Sequence, residues 1–457
     1  MNEETGPVAS QSEISTGCTP VNDVGNSPQT EVVDSGQQPE QPEPVIAAEP
    51  AKTSRFREFG IAVVLALIAG IAFYYSTKAG HHHFDYTARI AGALMSGHLG
   101  LQTHPGSWLN EMVPWNGRYY SVFPLGAVIS MLPVAALQKA GWIHEFPARH
   151  IAAIIAGLSV FFFFRLSNLE GKTLARRILL ALFPIFGTWF WCNVGFAGAW
   201  QLALAFALLG EAGALYFTLV RPRPLAAGAF FALAFGNRTE LILTAPIFLY
   251  LLASWTISGS GGVVGKAKQW LRQNWRPLTD FLLLPVTLGL LTAAYNFARF
   301  GSFFDFGYTH IPNVLHEPWY QHGLFSFHAI PWNVYKMLFE GFGDRPNFPF
   351  LRFYPFGSSI FISSPFLFLL FREGGRYKRV CWIVIAVLTI VLWCHGNPGG
   401  WQFSYRYAII LLPWMFLLLV GNGPAKLSVI EVSLFVVSVA INAVAMWQFL
   451  WTNEIHP

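Results

Sequence analysis

Charged residues are scarce in this chain of 457 residues. Asp, Glu, Lys and Arg together make up 12% of the sequence, against about 25% in an ordinary soluble domain. Hydrophobic residues make up 54%, aromatic residues 16%, and the mean hydropathy is +0.44. This composition excludes a soluble multidomain enzyme and a disordered chain. It predicts an all-α polytopic membrane protein whose Trp and Tyr side chains anchor helices at the membrane surface.

Cysteine is scarce as well. The four cysteines are too few and too scattered for a disulfide framework or a zinc site; they are Cys18, Cys192, Cys381 and Cys394. They therefore give no indication of the chemistry.

The first 50 residues lack Lys, Arg and aromatic residues, and they contain nine Asp and Glu. Such a segment buries too little apolar surface to fold, so we predict that residues 1–54 form a disordered, acidic cytoplasmic tail. The positive excess falls on residues 55–457, the predicted transmembrane domain, where Lys and Arg flank membrane helices. We expect no nucleic-acid partner. The first apolar run begins near residue 59, which predicts a retained anchor and not a signal peptide.

About eleven apolar stretches approach the roughly 20 residues that a helix needs to cross the hydrocarbon core. The predicted crossings are residues 59–76, 150–166, 178–191, 200–219, 224–237, 239–255, 280–298, 354–371, 379–394, 407–420 and 427–448. A twelfth candidate, residues 121–138, contains two prolines and is only moderately hydrophobic.

The distribution of Lys and Arg decides the status of that twelfth candidate. Lys52, Arg55 and Arg57 place the N-terminal side in the cytoplasm by the positive-inside rule. Four later loops have the same basic signature, at residues 165–177, 221–224, 256–279 and 372–379. All four are cytoplasmic only if residues 121–138 do not cross. We therefore predict an interfacial or re-entrant helix there, with twelve crossings as the alternative.

This topology leaves two large outer segments, residues 77–149 and 299–353, a smaller one at residues 395–406, and an extracytoplasmic C-terminus. The outer segments contain most of the histidines, so we expect the chemistry on the outer face. The loop lengths are uneven and the chain has no internal repeat, which counts against a transporter built from two matched halves.

Asp85 is the second residue of the segment FDYTARIAGALMSGHL, just beyond the first predicted crossing. Its apolar residues recur at helical spacing, which predicts an amphipathic helix along the outer leaflet. Asp85 has two interpretations: it caps this helix, or it is catalytic. The residues alone favour the cap.

The following segment places aromatic residues and a cation among Gly and Pro turns; the residues are Trp108, Glu111, Trp115, Arg118, Tyr119 and Tyr120. Aromatic residues beside a cation anchor surface helices, and they also bind sugar faces or phosphates. The physical chemistry favours neither interpretation.

Five tracts together resemble a known family. They are FDYTARIAGALMSGHL, NGRYYSVFPLGAVISMLP, NRTELILTAPIFLYLL, NFARFGSFFDFGY and GNPGGWQFSYRYAIILLPW. They look like the GT-C superfamily of integral membrane glycosyltransferases. More narrowly, they are similar to polyprenyl-phosphate-sugar-dependent enzymes related to protein O-mannosyltransferases and lipid A aminoarabinose transferases. The resemblance covers about residues 55–450.

The resemblance implies transfer of a sugar from a polyprenyl-phosphate donor to an acceptor hydroxyl, with inversion, on the outer face of the plasma membrane. It implies that Asp85 is the general base, because an acceptor hydroxyl needs a carboxylate to take its proton. The departing lipid phosphate needs positive charge. Arg406 matches the arginine of the family and is the first candidate for that role, followed by Arg118 and Arg238, although Arg238 and Glu240 are also placed to pair with each other.

Glu111, Tyr119, Tyr120 and His310 are the candidates for the acceptor or sugar site. Further candidates in the second large outer loop compete with a plain loop role; they are Glu317, His322, Asp344 and Arg345. The glycan, lipid or protein nature of the acceptor stays open.

A divalent metal also stays open. Related enzymes often carry a second acid beside the first-loop Asp, but here Tyr86 follows Asp85, and Glu111 is the candidate replacement. The run His81–His83 cannot turn three adjacent side chains to one ion on a helix, which favours a hydrated interfacial cluster over a metal site.

Two other functions compete with glycosyl transfer: a transporter or flippase of lipid-linked glycans, and an inactive subunit that binds a sugar lipid. A transporter predicts ionisable residues in mid-membrane. Glu211 is the main residue of that kind in the predicted crossings.

Overall fold

The computed structural model describes residues 52–78, 83–109, 111–254, 263–452 and 454–455. Residues 1–51 of the predicted tail lie outside this part of the chain, and the first helix already begins at Lys52. The described chain is mostly helical. Its α-helices are α1 (Lys52–Ser76), α2 (Tyr86–Met95), α3 (Leu125–Ile129), α4 (Leu132–Lys139), α5 (Ala148–Leu166), α6 (Leu174–Phe186), α7 (Phe190–Gly195), α8 (Ala199–Leu219), α9 (Pro224–Asn237), α10 (Ala245–Leu252), α11 (Val263–Phe300), α12 (Ile330–Val334), α13 (Ile360–Ser363), α14 (Lys378–Cys394), α15 (Leu412–Gly421) and α16 (Val429–Met446).

Five helical stretches of the described chain are long and apolar enough to cross a membrane: Phe56–Ser76, Ala148–Glu170, Ala199–Leu219, Gly265–Phe300 and Val429–Trp451. Several shorter apolar helices accompany them. The prediction of a helical membrane protein is therefore confirmed at this level.

The long helices divide into an inner pair and an outer set. Most of α5 and α8 is buried, whereas α1, α11 and α16 are mostly exposed. The exposed surface of α1 is aliphatic, with Leu67, Ile68 and Ile71 all more than half exposed. A contiguous apolar surface of this kind is stable against lipid and not against water. The outer helices therefore carry the lipid-facing surface.

Two sequence predictions about helices are wrong. No continuous helix covers residues 354–371; the chain forms the four-residue α13 and then a 3₁₀ helix at Pro365–Phe371. Ser364 leaves the helical region and Pro365 has no N–H to donate. The loop predicted for residues 256–279 is helical from Val263, because its Lys, Gln, Leu and Arg residues are good helix formers; residues 255–262 lie outside the described chain.

Other predicted crossings are present but interrupted. The stretch 178–191 breaks after α6 ends at Phe186, and α7 begins at Phe190. The stretches 239–255 and 407–420 begin as 3₁₀ helices before α10 and α15. Residues 121–138 form two short helices, α3 and α4, instead of one continuous span.

Two short hairpins lie in the outer segments. In the first, β1 (Val113–Trp115) pairs with β2 (Arg118–Tyr120) across a turn at Asn116 and Gly117, both with positive φ. An Asn-Gly turn with this geometry matches the twist of the strands that it joins. In the second hairpin, β3 (Gly343–Asp344) pairs with β4 (Leu351–Arg352).

Helix contacts in the core depend on glycine. At Gly228 of α9, an added Cβ would overlap the carbonyl oxygen of Phe281 on α11. At Gly210 of α8, an added Cβ would lie 2.6 Å from the backbone nitrogen of Ala234 on α9. Because lipid supplies no hydrophobic force between helices, close van der Waals packing of this kind holds them together.

A buried ion cluster joins the ends of several helices. The Glu431 carboxylate at the start of α16 accepts hydrogen bonds from Arg176 Nε at 3.0 Å and from Arg372 Nη1 at 3.2 Å. Arg176 also donates to the carbonyl oxygens of Leu419 and Asn422, at 3.0 and 2.8 Å. The cluster therefore ties α6, the end of α15, the start of α16 and the segment before α14 together.

We expect Gly228→Ala to destabilise the protein by roughly 1–3 kcal/mol, because the added methyl group has no space against the α11 backbone. Gly289→Ala in α11 is the matched control, since nothing lies within 4 Å of a Cβ at that position. Thermal unfolding in detergent measures both. Equal losses in the two variants would contradict the packing argument.

We expect Glu431→Gln to destabilise the protein by about 3–5 kcal/mol, because Arg176 then stays buried without an anion. Arg372→Ala should cost far less, since its side chain is 27% exposed. The same unfolding measurement compares the two, and a larger loss for Arg372→Ala would count against the buried pair as the stabilising contact.

Candidate functional site

A cavity of about 630 Å³ lies where the segments predicted to be on the outer side meet the helix ends. Its walls come from the segment before α3, the turn after α9, the loop after α11 and the end of α14. Polar side chains at the cavity include Arg238, Glu240, Asp305, His395 and Tyr407. Residues far apart in the sequence therefore converge here.

Arg238 and Tyr407 line the cavity, and Arg406, which does not line it, approaches the same Tyr407 ring. The guanidinium carbons of Arg238 and Arg406 lie 5.0 and 5.2 Å from the centre of the Tyr407 ring, within the range of a cation–π interaction. Arg238 pairs with Glu240 at 2.5 Å, as the sequence predicted.

Arg406 is buried, and among the described residues it makes no ion pair. Its Nη2 lies 3.4 Å from the Tyr407 hydroxyl, and its Nε has no hydrogen-bond partner. Gln402 accepts a hydrogen bond from the Arg406 backbone nitrogen at 3.1 Å, which fixes the start of the 3₁₀ helix. A buried guanidinium with free donors is a site for an anion.

Glu111 supplies an acid beside the same cavity. Its carboxylate accepts a hydrogen bond from the indole nitrogen of Trp200, a cavity residue. Burial raises the pKa of Glu111 from 4.5 to about 7, while the Trp200 hydrogen bond and the charge of Arg406 act in the opposite direction. A carboxyl that titrates near neutral pH can take up and release a proton at physiological pH.

Neutral polar groups complete the walls. The hydroxyls of Tyr308 and Tyr320 lie 2.9 Å apart, and burial raises the pKa of both phenols. Burial lowers the pKa of His395, whose Nδ1 lies 2.7 Å from the Asn397 carbonyl oxygen. These groups stay uncharged at neutral pH and offer hydrogen bonds to a polar ligand.

Asp85 forms an ion pair outside the cavity. It precedes α2, a helix that the sequence predicted correctly, but the capping interpretation is wrong because its side chain makes no cap hydrogen bond. Its carboxylate instead pairs with Arg89 at 2.8 Å, and Arg89 also donates to the Pro105 carbonyl oxygen. Asp85 does not line the cavity; its catalytic role stays a prediction.

The candidate residues on the first hairpin do not line the cavity. Arg118 and Tyr119 line a different hollow beside the Asn116 turn, and the buried Tyr120 packs against Phe300. The structure therefore does not bring Arg118 together with Arg406 and Arg238. His310 lies closer to the site, because it pairs with the cavity residue Asp305 at 2.8 Å.

The other loop candidates have separate roles. Glu317 interacts electrostatically with Glu111, and burial raises the pKa of Glu317. His322 stacks on His328 with ring centres 4.3 Å apart. Arg345 pairs with Glu454 at 2.6 Å, and Asp344 is exposed in β3.

Among the described residues, no three His, Cys, Asp or Glu come together as a metal site. His83 belongs to a second cavity, while His81 and His82 lie outside the described chain.

Sequence reasoning missed several residues of the cavity, namely Trp200, Asp305, Tyr308, His395 and Tyr407. Tyr407 lies in the tract GNPGGWQFSYRYAIILLPW and directly follows Arg406, which was a usable signal. Trp200 had no such signal, because its role depends on the position of Glu111 in another segment.

We expect Glu111 to make the stability depend on pH. A carboxyl whose pKa rises on folding stabilises the protein below about pH 4.5, and this contribution is lost as the pH rises to about 7. Full burial would give a loss of about 3 kcal/mol; Glu111 is partly exposed, which reduces it to about 1–2 kcal/mol. Unfolding of wild type and Glu111→Gln between pH 5 and 8 measures it. If the free energy of unfolding changes with pH in the same way in wild type and in Glu111→Gln, Glu111 does not titrate in this range.

No protein-family model, curated protein or solved structure matches the chain.

Proposed function

We propose that this membrane protein is a glycosyltransferase that moves a sugar from a polyprenyl-phosphate donor to an acceptor hydroxyl on the outer face of the membrane. The observation that carries the proposal is Arg406, a buried cation without a carboxylate partner in the described chain, next to a cavity with an apolar opening. Neither feature alone indicates a lipid phosphate, but the combination does.

The opening of the cavity suits an isoprenoid chain. Four cavity residues are large, apolar and exposed, each by at least 46%: Ile242, Leu243, Phe304 and Phe325. Behind them, Arg238 and Arg406 flank Tyr407. A lipid phosphate would place its tail on the apolar opening and its charge toward the arginines, which removes the cost of leaving Arg406 unpaired.

Each of these groups has a defined part in the proposed reaction. A carboxylate takes the proton of the acceptor hydroxyl as its oxygen forms a bond to the anomeric carbon. The bond from that carbon to the phosphate oxygen breaks from the opposite face, which inverts the configuration. The electron pair leaves with the polyprenyl phosphate, and the arginines stabilise its charge.

Two carboxylates compete for the role of base. The resemblance implies Asp85, while the geometry favours Glu111, whose pKa of about 7 and electrostatic contact with Arg406 suit proton transfer at neutral pH. Asp85 is already paired with Arg89.

The topology belongs to the proposal as well. We propose eleven crossings in the plasma membrane, with residues 354–371 crossing as the interrupted segment of α13 and its 3₁₀ helix, a cytoplasmic N-terminus, an extracytoplasmic C-terminus and residues 121–138 on the outer side. The break between α3 and α4 and the prolines of this segment suit a stretch that lies on the membrane. This arrangement puts the cavity at the outer surface, where lipid-linked sugars are the available donors.

We expect Arg406→Ala to lower kcat/KM by about 10²–10³-fold, because one preorganised donor to the leaving phosphate is lost. The assay supplies purified protein in nanodiscs with a panel of polyprenyl-phosphate sugars and follows release of polyprenyl phosphate. The exposed Arg352 of β4 gives the control variant Arg352→Ala, which should keep wild-type activity. Saturable donor binding with no release by wild type would overturn the transferase and favour a transporter or a binding subunit.

In the same assay, Glu111→Gln should lower turnover by about 10²–10⁴-fold, the contribution of a general base, while Asp85→Asn retains most of the activity. Binding of the donor to each variant is measured separately. A variant that binds the donor but does not turn it over has lost the base, whereas a variant that no longer binds the donor has lost the site. The reverse pattern would return the role of base to Asp85.

A further inference from the structure

A second cavity of about 420 Å³ lies at the junction of α1 and α5 and shares no lining residue with the first. Its walls come from the end of α1, the segment before α2, the segment before α5 and the first residues of α5. The cavity thus lies on the side of the molecule where α1 ends and α5 begins.

Positive charge dominates this second cavity. Lys78 and Arg149 line it, together with His83, His144 and His150, against the single acid Glu145. Neither Lys78 nor Arg149 forms an ion pair with any residue that the structure describes. The cavity also adjoins the N-terminus of α5, whose helix dipole adds positive potential.

Arg149 is held in place but not neutralised. Its Nη2 donates to the Tyr74 carbonyl oxygen at 3.1 Å, and its guanidinium carbon lies 4.5 Å from the centre of the Tyr74 ring. Its buried Nε has no hydrogen-bond partner. A cation beside the positive end of a helix is unfavourable without an anion, and Arg149 forms no ion pair with Glu145, the one acid that lines this cavity.

Exposed aromatic side chains surround the cavity. Trp142 is 80% exposed and Tyr75 is 71% exposed, and the lining residue Phe84 is 46% exposed. Aromatic residues in such positions are typical of the level of the lipid headgroups. The chemistry of the site therefore combines an anion-binding wall with a membrane-interface rim.

We propose that this second cavity binds the phosphate group of an anionic phospholipid in the outer leaflet. Lys78 and Arg149 hold the phosphate, and the acyl chains lie along the exposed face of α1. This binding does not depend on the proposed sugar transfer, because no residue of the first cavity takes part.

The test measures binding of a fluorescent phosphatidylglycerol to the full chain in detergent, with phosphatidylcholine and inorganic phosphate as competitors. Wild type should bind phosphatidylglycerol saturably, and phosphatidylcholine should compete at least tenfold more weakly. Lys78→Gln and Arg149→Gln should each raise Kd about tenfold, and Arg149→Lys should restore part of the affinity. Arg352→Gln, a change at an exposed arginine of β4, should leave Kd unchanged.

Each alternative outcome overturns the proposal. Competition by millimolar inorganic phosphate as strong as by the lipid would assign the site to a free anion. Unchanged Kd in Lys78→Gln would remove the site, and this variant stays informative if Arg149→Gln fails to fold, because Lys78 is exposed and its side chain makes no hydrogen bond with the described residues.

Discussion

The buried Glu431 carboxylate is the contact on which the arrangement of the C-terminal helices depends. Through Arg176 it fixes the end of α15, since the same guanidinium holds the carbonyl oxygens of Leu419 and Asn422. The opposite end of this apolar segment begins at Arg406. The wall residue Tyr407 therefore lies on a buried helical segment whose other end is held by a charge pair, and removing one partner of that pair would leave the other charge buried and uncompensated.

Hydropathy predicted most of the helices because the long apolar runs of α1, α5, α8 and α16 have no other stable state in lipid. It was wrong at residues 354–371, where an apolar run alone does not specify a helix and the Ser364-Pro365 step breaks it. It was wrong again in the stretch from Val263 to residue 279, where a polar sequence continues a helix beyond its apolar part. Apolar content indicates which segments favour lipid, but it does not by itself determine which segments form helices.

The site was predictable only in part, for a similar reason. Arg406, Arg238 and Glu111 stand out in the sequence because charges are rare and their tracts are distinctive. Their common neighbourhood is not visible there, because it depends on Tyr407 and Trp200, aromatic side chains like many others in this chain. In the sequence, Arg118 is as good a candidate as Arg238 and Arg406. In the structure it lies on the first hairpin and lines a different cavity.

The length of α11 couples the bilayer to the cavity. Its 38 residues extend about 57 Å, while the hydrocarbon core is about 30 Å thick, so the helix must tilt or project well beyond the lipid. Near its C-terminal end, Arg299 donates to the Ser121 carbonyl oxygen at 2.6 Å, next to the wall residues Val122 and Phe123. A change in the inclination of this helix, which contains Pro277 and Pro285, would therefore reach the wall of the cavity through Arg299.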